Sequence, residues 1–132
     1  MVARLLHFSF FIVLLMPMTT ANALNFTATV DTHRVAAGNS FQLTLKADEQ
    51  AFNKQPNLSA IEQDFDILRN NQSNQVKIIN GQITSETQWK LTLLPKSEGY
   101  LVIPPISYGN KKTKAITVKV TKASQSSSQQ SS

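Results

Sequence analysis

Residues 76–93 read VKIINGQITSETQWKLTL, and two signals in this stretch decide the fold class. Asn80-Gly81 is the dipeptide that a type I′ hairpin turn selects, because both central residues need a positive φ. After it, Ile83, Ser85, Thr87, Trp89, Leu91 and Leu93 stand two apart, with Thr84, Glu86, Gln88, Lys90 and Thr92 between them. A period of two puts each set on its own face of a strand, one turned to a core and the other to water. Trp89 is therefore expected as a core residue packed between two sheets rather than as a binding-site tryptophan.

The same alternation extends outward in both directions. Upstream, Phe26, Ala28 and Val30 alternate with Thr27, Thr29 and Asp31, and Phe41, Leu43, Leu45 and Ala47 alternate with Gln42, Thr44 and Lys46. Between them Ala37-Gly38-Asn39-Ser40 has the composition of a turn. Residues 55–64 break the period. Pro56-Asn57 starts a connection, Ser59-Ala60-Ile61-Glu62 fits a capping box, and Leu58, Ile61 and Phe65 recur three and four apart, so one helical turn is expected to plug an end of the core. Phe65 to Leu68 begins another strand, and the polar run from Asn70 to Gln75 is either a loop or a solvated strand edge.

Downstream, Pro95 and Gly99 mark a corner, Tyr100 to Ile103 is a short strand, and Pro104-Pro105 stops it. Ile106 and Tyr108 point one way before the turn at Gly109-Asn110-Lys111-Lys112, and Ile116, Val118 and Val120 form a closing strand. Seven to nine short strands with frequent turn signals predict an all-β chain, an immunoglobulin-like antiparallel β-sandwich. With no cysteine in the chain, that sandwich has no disulfide and rests on apolar packing.

The two ends differ from this middle. Met1 to Arg4, an apolar run from Leu5 to Met16 and Ala21-Asn22-Ala23 have the order of a secretory signal peptide, with cleavage expected after Ala23. The run is too short to span a bilayer, which takes about 20 residues. After Lys122 the sequence turns to serine and glutamine and is expected to be a disordered tail. The expected organisation is a signal peptide at 1–23, one sandwich domain at 24–122 and a tail at 123–132. The formal charge is +5, one unit of which, Arg4, leaves with the leader. The remaining basic residues are scattered apart from Lys111, Lys112 and Lys114, a pattern that does not fit a nucleic-acid partner.

Chemistry is sparse. Without cysteine, thiol catalysis, iron–sulfur clusters and thiolate zinc sites are excluded. The folded region has one histidine, His33, read as a solvated bend residue rather than a metal ligand. Glu62, Asp64 and Asp66 are close in sequence, but no glycine lies between Gly38 and Gly81 to shape a calcium loop, and no partner marks them for acid–base work. No phosphate loop or nucleophile elbow is present. The expectation is a non-enzyme with no catalytic, cofactor or metal residues and no cofactor; no particular binding residues are assigned.

One ordered set of residues is more specific than a generic sandwich. Phe26 with Val30-Asp31 is followed by Val35, Gly38, Phe41 and Leu43-Thr44-Leu45, then by Pro56-Asn57-Leu58 and Asp64-Phe65-Asp66-Ile67-Leu68. Ile79-Asn80-Gly81, Trp89 and Leu94-Pro95-Lys96 with Gly99 and Ile103-Pro104-Pro105-Ile106 complete it. This order, over residues 24–122, resembles the N-terminal region of the BatD proteins, the oxygen tolerance or aerotolerance family. The resemblance implies a periplasmic immunoglobulin-like protein encoded with von Willebrand-type domain proteins and a MoxR-type ATPase, acting in envelope stress or complex assembly, with no catalytic residues to carry over. Family members usually continue through further sandwich domains to a C-terminal transmembrane helix, whereas this sequence stops at the Ser/Gln tail.

The expected function is thus an exported protein-binding module of the BatD type that contacts envelope proteins through a sheet edge or end loops. Possible partners are the von Willebrand-type domain membrane proteins of the same operon. The final strand, Ala115 to Thr121, is the candidate edge, guarded by Lys114, Lys119 and Lys122, since lysine discourages indiscriminate pairing. The alternative is a structural spacer, or a fragment of a longer membrane-anchored multi-sandwich protein, without a partner of its own. A third reading, ligand binding to sugars or small molecules in a loop cleft, has as its support only Tyr100 and Tyr108 as candidate exposed tyrosines, with a place in the core the alternative for both.

Overall fold

The computed structural model describes residues 24–123; the expected leader, and the tail beyond Ala123, lie outside the described residues. Nine strands form: β1 (Phe26–Val30), β2 (Arg34–Ala36), β3 (Phe41–Ala47), β4 (Phe65–Ile79), β5 (Gln82–Pro95), β6 (Gly99–Ile103), β7 (Ser107–Tyr108), β8 (Lys111–Lys112) and β9 (Ile116–Thr121). A 3₁₀ turn, Ile61–Gln63, precedes β4.

The strands build two main sheets. The first has the order β1-β3-β5-β4, antiparallel throughout. The second is β2-β9-β6, and β7 pairs with β8 in a short ribbon. The first order is that of the A-B-E-D sheet of an immunoglobulin constant-type domain. One pair departs from the antiparallel expectation, since β2 runs parallel to β9, with Val35 beside Val120.

The chain switches sheets between β1 and β2. Asp31 anchors the bend: its amide donates to Gln42 O at 3.1 Å, and its carboxylate accepts from the Gln42 amide at 2.9 Å. Thr32 Oγ1 then donates to Arg34 O at 2.8 Å. On the far side, β6 to β9 form one interrupted hairpin. Proline has no amide hydrogen to give to a ladder, so pairing stops at Ile103 opposite Ile116, skips Pro104-Pro105, and resumes at Ser107 opposite Lys112. Thr113 bridges the gap, its amide donating to Ile106 O at 3.0 Å and its hydroxyl accepting from the Ile106 amide at 2.9 Å.

The alternating positions fill the space between the sheets. Leu43, Leu45, Trp89, Leu91 and Leu93 come from the first sheet, and Leu101, Ile103, Val118 and Val120 from the second. Trp89 is fully buried, as its place in the alternation requires. At one end Phe26 stacks on Tyr108 with ring centroids 5.0 Å apart and meets Trp89 edge-on at 6.3 Å. At the other, Phe41 and Phe65 meet edge-on at 5.7 Å. Such pairs add about 0.5–1.5 kcal/mol each beyond the area they bury.

Three expectations need correction. The closing strand, expected as an edge from Ala115 to Thr121, is the middle of its sheet, flanked by β2 and β6. The helical turn is present and buries Ile61 and Phe65, but the capping box does not form. Ser59 is already engaged, its amide and hydroxyl both donating to Asn57 Oδ1 at 3.1 and 2.7 Å. Of the two tyrosines, only Tyr100 is exposed, at 72%, while Tyr108 is at 0%.

Candidate interaction surface

The hairpin at Asn80-Gly81 gathers the exposed apolar side chains Val76, Ile78, Ile79 and Ile83 on one projecting element. Asn80 and Gly81 have φ of 50° and 76°, the positive pair that a type I′ turn needs. β3 ends at Ala47 opposite Thr87, so residues 82–86 of β5 pair with β4 alone. Five residues at roughly 3.3 Å each carry the two-stranded arm about 17 Å past the sheet. Val76, Ile78, Ile79 and Ile83 lie on it, exposed at 55, 72, 57 and 72%. Ile78 and Ile83 are directly paired and share the face that, nearer the body, carries Thr87, Trp89 and Leu91. The core face of the first sheet continues outward with nothing packed over it.

A polar network fixes the root of the arm. The buried Thr87 hydroxyl accepts from the Ala51 amide at 3.0 Å and stands 2.7 Å from Glu49 O and 2.9 Å from Asn74 Oδ1; with one proton, it donates to one of these at a time. Gln72 donates through Nε2 to Ala51 O at 3.2 Å, and its Oε1 accepts from Gln55 at 3.0 Å. The Trp89 indole donates to Gln55 Oε1 at 3.2 Å. These bonds hold the loop at residues 48–57 over the sheet, which explains how polar Gln72 and Asn74 sit beside Trp89 and Thr87 on the same face of the sheet. Tyr108 closes the end, its hydroxyl donating to Glu49 Oε1 at 2.7 Å. Burial, then the hydrogen bond and the charge of Glu49, push the Tyr108 hydroxyl up to about 12.

Along the arm, between it and residues 24–25 and the loop at 48–50, a groove of about 890 Å³ opens, lined by Leu24, Asp48, Glu49, Lys77, Ile83 and Glu86 among others. A smaller trough of about 380 Å³ runs beside β1, between Phe26, Ala28 and the side chains of Lys112 and Lys114. β4 is also an edge strand over its full length. From Asn70 to Val76 it holds neither charge nor proline, two of the devices that blunt exposed edges.

The other sequence candidates do not converge. His33 is exposed, with Nδ1 3.4 Å from Thr117 O. Glu62, Asp64 and Asp66 are exposed as well, and Asp66 faces Lys96 at 3.8 Å. Among the described residues no group of three or more His, Cys, Asp or Glu could hold a metal ion. No helix among them is long and apolar enough to cross a membrane. Sequence reasoning did not single out the arm; its signal is the length of β5, 14 residues against seven for β3, which leaves part of β5 beyond the reach of its neighbour.

An immunoglobulin-like sandwich whose open surfaces are strand edges and a projecting hairpin is a module of interaction or structural type. The chain belongs to the BatD family: the family model described as the BatD DUF11-like domain matches residues 28–120. Among curated proteins no significant match is found. A cohesin module from a family 33 glycoside hydrolase of Clostridium perfringens ATCC13124 is similar at 14% identity, over 74% of this chain and 97% of that one, with a TM-score of 0.38.

Proposed function

We propose that the chain is an exported, non-enzymatic protein-binding module of the BatD type that works in the assembly or stress tolerance of periplasmic envelope complexes. The observation that carries this reading is the outer edge of β4, fifteen residues long, with no strand beside it. A free edge of this kind accepts an extended partner segment through main-chain hydrogen bonds, with alternate side chains giving selectivity. Membership in the BatD family supports the interaction role, and the leader-like first 23 residues support export. Membrane proteins with von Willebrand-type domains are the partners this reading favours.

The test is a pull-down from crosslinked envelope extract with the wild-type protein and with a Ser73→Lys, Gln75→Lys double variant as baits. Both positions are exposed, so the variant keeps the fold while its charges obstruct strand addition. Recovery of von Willebrand-type membrane proteins by the wild type alone is the expected result. Equal recovery by both baits moves the contact away from β4, and an empty pull-down with folded bait favours the spacer reading.

A further inference from the structure

We infer that the open edge of β1 receives an extended acidic segment of a partner protein, whose carboxylates, two residues apart, meet Lys112 and Lys114. This rests on the reading of the chain as an interaction module and adds to the edge of β4 a second contact with a defined chemistry.

The backbone of β1 has partners on one side only. Asn25 O accepts from the Asp48 amide and the Asp31 amide donates to Gln42 O, both at 3.1 Å. These two pairs continue, one step at either end, the register that sets Phe26 opposite Ala47 and Val30 opposite Leu43. In an antiparallel ladder, residues that exchange hydrogen bonds alternate with residues that do not. Asn25, Thr27, Thr29 and Asp31 therefore turn their main-chain groups to β3, and Phe26, Ala28 and Val30 turn theirs the other way. On that side β1 has no ladder partner, because it ends its sheet. A row of free main-chain donors and acceptors is what an added strand binds.

Beside this edge lies the trough of about 380 Å³, lined by residues Phe26 to Thr29 and by Lys112 and Lys114, a volume that suits a short peptide segment. Thr113 is only 5% exposed, while the lysines on either side of it are exposed, so both lysines project the same way. Residues two apart in extended chain are separated by roughly 6–7 Å. A segment with Glu or Asp at alternate positions repeats over that same distance and sets one carboxylate against each lysine.

Charge selects this occupant over others. Lys111, Lys112 and Lys114 make no ion pair among the described residues, whose two salt bridges are Lys54–Glu49 and Lys96–Asp66. Asp31, the acid at the end of β1, is engaged by the Gln42 amide. A second copy does not offer the ligand: its acidic run, Glu62, Asp64 and Asp66, begins in the 3₁₀ turn rather than in extended chain, and Asp66 already faces Lys96. Lysines beside an edge repel strands of their own charge and admit one that brings carboxylates, which gives selectivity by rejection as well as by attraction. An anionic membrane would answer the lysines and leave the main-chain row of β1 unused.

Two-dimensional NMR of the purified protein with a short capped peptide of alternating threonine and glutamate tests this, against the same peptide with glutamine for glutamate and against phosphatidylserine vesicles. The glutamate peptide is expected to shift residues 26–30 and 112–114 and to slow amide exchange at Phe26 and Ala28. The glutamine peptide should bind about tenfold more weakly, the size of effect that two surface ion pairs allow. A Lys112→Glu, Lys114→Glu double variant, altered at two exposed positions, should keep the wild-type circular dichroism, lose the glutamate peptide and bind a threonine–lysine peptide instead. Absence of binding by the glutamate peptide overturns the inference, as does equal binding of the glutamine peptide. A peptide that shifts the lysines without slowing exchange at Phe26 and Ala28 overturns it too, and so do vesicles that shift these residues where the peptide does not. Envelope proteins captured through β4 by a protein that fails these tests would leave the binding-module reading standing and remove this one.

Discussion

Tyr108 sits without solvent exposure between Phe26 and Trp89, and its hydroxyl donates to Glu49. The protonated phenol is the form this site favours, since ionisation would place a second negative charge beside the carboxylate in a buried position. An unfolded tyrosine titrates near 10, whereas the folded one is held up to about 12. The contribution to stability is thus complete below pH 10 and is lost as pH rises from 10 towards 12, where the unfolded chain releases a proton that the folded chain keeps. Two units correspond to about 2–3 kcal/mol, an upper limit that solvent beside the part-buried Tyr108–Glu49 bond reduces. Urea unfolding of the wild type and of Tyr108→Phe through this window checks it. The variant should be less stable at neutral pH, having left Glu49 without its donor, and the gap should narrow as pH approaches 12. A constant gap would mean that the hydroxyl is not held in its protonated form by the fold.

Leu91 and Ile83 lie on the same face of β5 and are equally apolar, yet one is fully buried and the other is 72% exposed. The difference is in the neighbours, since Leu91 packs into the core between the sheets, whereas β3 ends opposite Thr87 and β4 alone accompanies Ile83. Amide exchange should divide the strand accordingly. Residues 82–86, bonded to β4 alone, are expected to exchange through local opening, and residues 87–93, paired on both sides, only with global unfolding. Uniform protection along β5 would show instead that the arm is part of the cooperative unit. This same boundary marks how much the sequence reveals. Strand positions were legible because a period of two survives in a list of letters, as was the Asn80-Gly81 turn, whose positive φ values are a local demand. The exposure of Ile83 was not legible, because burial depends on how far a distant strand extends. The empty capping box at Ser59 has a similar cause: the box needs the Ser59 hydroxyl to accept from the Glu62 amide, whereas Asn57, two residues back, turns that hydroxyl and the Ser59 amide towards its own Oδ1 as donors.

Strand order belongs to the whole molecule, and here it reverses the role read into the last strand. β9 lies between β2 and β6, and the parallel pair joins Arg34 to Lys119, a register that no local pattern contains. A free edge can be lost from a sheet with limited damage, whereas a central strand cannot. Removing β9 would take the buried Val118 and Val120 and the half-buried Ile116, worth roughly 4–7 kcal/mol together at the usual value of a buried aliphatic side chain. It would also leave β2, three residues long, with no partner, and open β6 on the side that now faces β9. The total stability of a domain of this size is about 5–15 kcal/mol, and no disulfide holds the chain together in its place. A chain stopped after Ala115 is therefore expected to lose its near-ultraviolet circular dichroism and its cooperative melting transition. A chain stopped after Lys122 keeps all nine strands and should melt like the wild type. If the shorter chain melted cooperatively, the second sheet would be an accessory to a fold carried by β1, β3, β4 and β5 alone. Trp89 would then show it, because without the facing sheet its fluorescence would report water.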